Sequence, residues 1–304
     1  MKAIDLFAGL GGFTTGAEMA GCSVVWAANH WQQAVDTHAA NHPETIHVCQ
    51  DLHQANWAQV PAHDIILASP CCQGHSRARG KASGNPQHDA SRSTAWAVVS
   101  AIEFHRPAFG LVENVPEFMR WELFPAWRAA IEAMGYSLAP HVVDAADHGV
   151  PQSRVRLIIV LTKSKHPIQL QLPKRPHIAA STIIDFEAGR WSPIDRPGRS
   201  AATLSRIANG RAAHGERFLT AYYGNERGGR SLDRPIGTIT TRDRWAVIDG
   251  GRMRMLSVEE CRRAMAFPRE YQLPENGRLA VHMLGNAVPP PVPRDFINAL
   301  RGAA

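Results

Sequence analysis

KAIDLFAGLGGFTTGAEMAG, residues 2 to 21, runs a short apolar stretch into a turn with glycines at 9, 11 and 12 and then into a helical pattern. Glycine at such a turn lets the backbone bend sharply and approach a nucleotide-like ligand closely. Taken alone the turn also fits an oxidoreductase with a nucleotide cofactor, so the segments that follow decide the fold. SVVWAAN (23–29), DIILAS (64–69), FGLVENV (109–115) and VRLIIVLT (155–162) read as strands beside KAIDLFA (2–8), several too continuously apolar to have a wet face. Such runs imply a largely parallel sheet covered on both sides. FTTGAEMAG, WQQAVDTHAANHP ending at Pro43, STAWAVVSAIEFHRP (93–107) and LFPAWRAAIEAMGY (123–136) read as helices between them. The alternation implies an open, doubly wound, mostly parallel α/β domain over residues 1–162, with ligands beyond the carboxyl ends of its strands.

From 163 to 240 proline, glycine and arginine become frequent and helical periodicity is hard to find, which implies a small irregular or β-rich domain. Residues 241–304 then return to order, with helical patterns at 257–267 and 289–302. The chain has 304 residues, 44% of them hydrophobic, enough to bury a real core. Its five cysteines, Cys22, Cys49, Cys71, Cys72 and Cys261, make no disulfide framework and no metal-binding spacing, so a reducing compartment without structural zinc is expected. No signal peptide precedes the first strand and no apolar run reaches about 18 residues, so a cytoplasmic location is expected. A formal charge of +6 hints at a polyanionic partner. The Arg-, Gly- and Ser-rich stretches at 76–92 and 195–217 are where loops could follow a phosphate backbone.

The phenylalanine at position 7 narrows the reading, because DLFAGLGG resembles the first motif of the cytosine-C5 DNA methyltransferases, where it holds S-adenosylmethionine. The family's other motifs follow in order across residues 4–292. DIILASPCCQGHS (64–76) resembles the nucleophile motif, LVENV (111–115) the E-N-V motif, and GVPQSRVRLIIV (149–160) the Q-x-R-x-R motif. RPIGTITTRDRWAV (234–247), RMLSVEECRRAMAFP (254–268) and GNAVPPPV (285–292) resemble the closing stretches. The resemblance implies a Rossmann-like class I methyltransferase with a small target-recognition domain, acting on double-stranded DNA with S-adenosylmethionine as cofactor. It implies no metal, no obligate protein partner and a monomer.

The family's chemistry explains these residue types. Carbon 5 of cytosine is a poor nucleophile, so a thiolate must add to C6 while an acid protonates N3, and the base must leave the helix stack. By resemblance Cys72, in register with Gln73 and Ser76, is the nucleophile; Cys71 stands where the family has a proline and contacts the cofactor through its backbone. Glu113 is the acid, Asn114 positions the neighbouring loop, Arg154 supports the nucleophile loop, and Arg156 contacts the base carbonyl or a phosphate. The cofactor is expected against Phe7, Ala8, Gly9, Leu10, Gly11, Gly12, His30, Trp31, Asp51, Leu52, Ser69, Cys71, Asn286, Ala287 and Val288. DNA is expected against Gln73, Ser76, Arg77, Arg79, Lys81, Arg92, Thr240 and Arg242. His30 replaces the glutamate common on the cofactor ribose, and His75, His148 and Ala266 also depart from the family, as in a phage-associated branch with S-P-x-C and N-H-W. A tRNA-acting relative, a donor such as carboxy-S-adenosylmethionine and a catalytically silent DNA-binding relative are the alternatives.

Overall fold

A computed structural model describes residues 1–71, 94–222, 227–242 and 244–303. By contacts the chain divides into a larger unit, residues 1–144, 155–173 and 287–304, and a smaller one, residues 145–154 and 174–286. The composition shifts at 162 and 240 divide the chain at different places from these contacts.

Among the described residues the larger unit is built on a seven-stranded sheet. The strands are β1 (Lys2–Leu6), β2 (Ser23–Asn29), β3 (Ile46–Cys49), β4 (Ile65–Ala68), β5 (Phe109–Asn114), β6 (Ser137–Asp144) and β7 (Val155–Thr162), in the order β3-β2-β1-β4-β5-β7-β6. β1 to β5 pair in parallel, whereas β7 runs antiparallel to both β5 and β6. All four residues of β4 are buried, as are the last four of β1, the mark of a sheet covered on both faces. The helices are α1 (Gly12–Met19), α2 (Gln32–Asn41), α3 (Ala95–His105), α4 (Phe124–Ala133) and, after the smaller unit, Pro291–Ala303, which packs on α1. Trp127, Phe118, Ile102 and Leu111 are fully enclosed in the core.

β3 and β6 were not among the sequence-expected strands, for physical reasons. Each residue of β3 is exposed or half-buried, and β6 carries Pro140 with alternating burial, so neither forms an apolar run.

The smaller unit holds a four-stranded antiparallel sheet of β8 (Ser192–Pro193), β9 (Arg217–Ala221), β10 (Trp245–Asp249) and β11 (Arg252–Met255), in the order β8-β11-β10-β9. Helix α5 (Ala201–His214) packs on β9; a Cβ at Gly210 would fall 2.3 Å from the Phe218 ring. The helix escapes the sequence pattern because its buried stripe is only Thr203, Ile207 and Gly210. Helix α6 (Val258–Ala264) starts with a reciprocal capping box between Ser257 and Glu260. Glu260 also meets the guanidinium of Arg254 at 2.7 Å, both enclosed. Burial raises the Glu260 pKa, but the Arg254 and backbone hydrogen bonds outweigh it and hold the group below the usual range. Helix α7 (Gly277–Asn286) closes the unit, and the final helix, Pro291–Ala303, is α8.

Candidate active site

The parallel strands end in one row because their registers align. Leu6 lies opposite both Ala28 and Ala68, Ala28 opposite Val48, and Ala68 opposite Val112. Backbone bonds carry the row outward: Ala8 N–H donates to Ala28 at 3.0 Å, Ser69 N–H to Leu6 at 3.1 Å and Gln50 N–H to Asn29 at 3.0 Å. This edge, where strand order reverses at β1 and β4, is where open α/β sheets bind ligands. It gathers Phe7 to Gly12, His30, Trp31, Asp51, Leu52, Ser69, Cys71, Glu113 and Asn114. β7 runs the other way, so its first residues, including Arg156, come to the same edge.

The turn itself is strained. Phe7 has φ 63°, Gly9 φ 54° and Gly11 φ 93°. A left-handed phenylalanine costs about 1–3 kcal/mol and persists where surrounding structure holds it, a feature that clusters at ligand sites. Gly12 is required by packing: a Cβ there would lie 1.9 Å from the carbonyl oxygen of Val288. Thus Val288 closes over the first turn of α1, and it and Ala287 are both buried. Trp31 N–H donates to the Asn29 side chain at 3.0 Å, and His53 N–H to Asp51 at 3.0 Å, fixing the ends of β2 and β3. His30 is exposed and Leu52 is buried.

Glu113 and Asn114, adjacent at the end of β5, do different work. Glu113, 7% exposed, pairs with Nε of Arg156 at 3.1 Å. Arg156 also donates to the Val155 carbonyl at 2.7 Å. Asn114 is buried; its amide donates to the Pro70 carbonyl at 3.1 Å and its oxygen accepts from Val115 N–H at 2.9 Å. Cys71 N–H donates to the Thr94 hydroxyl at 3.1 Å. Nothing in the sequence signals this role for Thr94: its hydroxyl makes no cap bond to α3 and accepts instead from a residue 23 positions upstream, which only packing brings near. Asn114→Ala is expected to leave the Pro70 carbonyl short of a partner and to cost about 1–3 kcal/mol, read by chemical denaturation. Methyl transfer should fall with it.

Cys72, Gln73, Ser76, Arg77, Arg79, Lys81 and Arg92 lie outside the described residues. In the smaller unit, Arg154 is buried and donates to the carbonyls of Ile239 at 3.1 Å and Gly285 at 3.0 Å. The Thr240 hydroxyl donates to the Arg242 carbonyl at 2.9 Å, and Arg242 is exposed. Asn286, the last residue of α7, is exposed with its amide 3.2 Å from His282. Among the described residues no helix is long and apolar enough to cross a membrane.

The family model for C-5 cytosine-specific DNA methylases matches residues 1–188 and 196–301. The chain belongs to this family. This DNA methylase transfers a methyl group to carbon 5 of cytosine, and its family depends on S-adenosylmethionine. It is 29% identical over 316 aligned residues to the type II methyltransferase M.NlaX of Neisseria lactamica, covering 99% of this methylase and 96% of that one. It is 27% identical over 311 residues to M.HhaI of Haemophilus parahaemolyticus, covering 95% and 90%. A prophage-encoded E. coli protein described as a DNA modification methyltransferase superposes with a TM-score of 0.75 at 19% identity, over 100% of this methylase and 99% of its own chain. The Dnmt2 methyltransferase of S. pombe superposes at 0.68 with 14% identity, over 99% and 98%. At these identities the structural likeness shows the fold.

Proposed function

We propose that this DNA cytosine-5 methyltransferase takes S-adenosylmethionine at the turn of residues 7–12 and modifies cytosine in double-stranded DNA through a covalent bond from Cys72 to C6. The observation that carries the reading is the placement of Glu113 and Asn114 side by side at the end of β5, in the row of strand ends that holds the strained turn. The acid candidate and the side chain that ties down Pro70, two residues before Cys72, are neighbours in the chain.

The residues present suit the cofactor. Near an added Cβ at Gly9, among the described residues, only the Phe7 carbonyl comes within 4 Å, at 3.8 Å, so none of these crowds the backbone of the turn. Phe7, Trp31, Asp51, Leu52, Ser69, Cys71 and Val288 would hold the cofactor, with His30 near its ribose. When bound, S-adenosylmethionine supplies an electrophilic methyl group on a sulfonium centre.

In the protein's part of the reaction the Cys72 thiolate adds to C6 while Glu113 gives its proton to N3, so the electron pair reaches C5. Arg156 holds the Glu113 carboxyl in place and, with the charge it carries, faces the base carbonyl. After methyl transfer a base takes the C5 proton, the C6–S bond breaks with its electron pair returning to the thiolate, and N3 gives its proton back to Glu113. The Arg- and Lys-bearing segment 76–92, with Gln73, Ser76, Arg77, Arg79, Lys81 and Arg92, would contact the DNA around the vacated position, and Thr240 and Arg242 would contribute from the smaller unit.

Conversion sequencing of DNA from cells expressing the chain tests this. Protected cytosines within one recurrent short sequence are expected. Uniformly convertible DNA would overturn the reading, and protection confined to tRNA would move the chain to an RNA substrate.

A further inference from the structure

In the smaller unit, residues 151–154 lie alongside residues 236–239. Gln152 faces Ile236 in a parallel bridge; Ile236 N–H donates to the Pro151 carbonyl at 3.0 Å and Ser153 N–H to the Ile236 carbonyl at 2.7 Å. The Thr238 hydroxyl adds a bond to the Ser153 carbonyl at 3.1 Å. Side chains from the first run then take up both backbone groups of Ile239. Gln152 Oε1 accepts from Ile239 N–H at 2.7 Å, and the Arg154 guanidinium donates to the Ile239 carbonyl at 3.1 Å.

The fully buried Gln152 amide can sit only one way round. A backbone N–H donates and a carbonyl accepts, so the amide oxygen faces Ile239 and the nitrogen faces the Ala264 carbonyl at 3.2 Å, at the end of α6. That nitrogen also meets the Met265 sulfur at 2.8 Å. Arg154 reaches in the other direction, donating to the Gly285 carbonyl of α7 at 3.0 Å. Gly285 in turn lies so close to Thr240 that a Cβ would fall 2.3 Å from the Thr240 carbonyl carbon.

Residue 239 is thus fixed to α6 through Gln152 and to α7 through Arg154. The Thr240 hydroxyl carries the fixed point onward by donating to the Arg242 carbonyl at 2.9 Å. Arg242 ends the row with an exposed side chain that has no ion pair or hydrogen bond among the described residues. The charge of this unit suits an anionic partner. Of the chain's 33 Lys and Arg, twenty fall within its bounds, with thirteen of the 27 Asp and Glu, so the smaller unit holds the whole positive excess.

We propose that Gln152 is a positioning residue for DNA: by holding Ile239 against α6 it fixes the segment 239–242 and aims the Arg242 guanidinium at a phosphate of the duplex backbone. The proposal rests on the reading that Arg242 meets DNA. An arginine on a loose segment must give up backbone as well as side-chain freedom for each phosphate contact. At the end of a fixed segment it gives up only its own rotamers. Without the Gln152 amide, Ile239 N–H and the Ala264 carbonyl lose a partner together, and the segment can move while the hydrogen bonds of the glycine turn are untouched.

Binding of the full chain to a short mixed-sequence duplex, measured across salt concentrations, tests the proposal. Each phosphate contact contributes about 0.9 to the slope of log affinity against log salt. Arg242→Ala should lower that slope by about one and weaken binding about tenfold. Gln152→Met, of similar length but without the amide, should do the same, with calorimetric affinity for S-adenosylmethionine unchanged. The double variant should lose no more than either alone. A glutamine that serves stability only would lower the unfolding midpoint and leave the slope in place. A folded Gln152→Met with wild-type slope and affinity, an equal loss of cofactor affinity, or losses that add in the double variant would each overturn the proposal and leave Arg242 as a DNA contact. A wild-type slope in Arg242→Ala would defeat the reading of Arg242, and the proposal with it. Should Gln152→Met not fold, Thr238→Val, which removes only the hydroxyl tie to Ser153, carries the same expectations and the same refutation.

Discussion

Glu113→Gln is expected to lower methyl transfer to cytosine by about 10²–10⁴-fold, the usual worth of a positioned general acid. Glutamine fills the same volume at the end of β5, and the strand's backbone pairing of residue 113 with Ile158 does not involve the side chain. What is lost is the proton that Glu113 would give to N3, while the amide still fills the place 3.1 Å from Arg156 Nε. The loss should fall on kcat and only slightly on the KM for DNA, because the proton moves in the transition state. Cys72→Ser is the companion variant: an un-ionised hydroxyl adds to C6 far more slowly than a thiolate, so no modified cytosine should be detected. Single-turnover rates with labelled donor measure both. Wild-type turnover by Glu113→Gln would remove Glu113 from the reaction.

Gly12→Val is expected to cost about 3 kcal/mol or more and to abolish cofactor binding. Even the first carbon of a side chain would meet the Val288 carbonyl oxygen at 1.9 Å and its carbon at 2.9 Å, both backbone atoms that cannot swing aside. Relief requires the segment at 287–290 to lift off α1. Gly16 meets the same segment, with an added Cβ 2.4 Å from the Pro290 oxygen, so two turns of α1 would be uncovered together. Denaturant unfolding and calorimetric titration with S-adenosylmethionine measure the two effects. A variant of wild-type stability would show that this contact bears no weight.

Much of this molecule is legible before its structure. β1, β2, β4, β5 and β7 are buried along most of their length and so write apolar runs into the chain. The site's frame is legible for the same reason, since Phe7, Asn29 and Glu113 stand at the ends of such runs. β3, β6 and α5 are not legible, because edge position or a narrow stripe of contact leaves no strong periodicity. The tie from Gln152 to Ile239 is illegible in a different way. Its members lie 87 residues apart in the chain, and only tertiary packing brings them together. The same holds for Arg154, whose carbonyl partners lie 85 and 131 residues onward.

The cover that Val288 and Pro290 lay over α1 also has a meaning in time. During translation, the glycine face of α1 emerges early, but its partner segment follows only after residues 174–286 have been made. A loop of that length closes slowly compared with a local hairpin. The two sides of this contact are thus joined only across most of the length of the chain, and neither can be completed by local sequence alone.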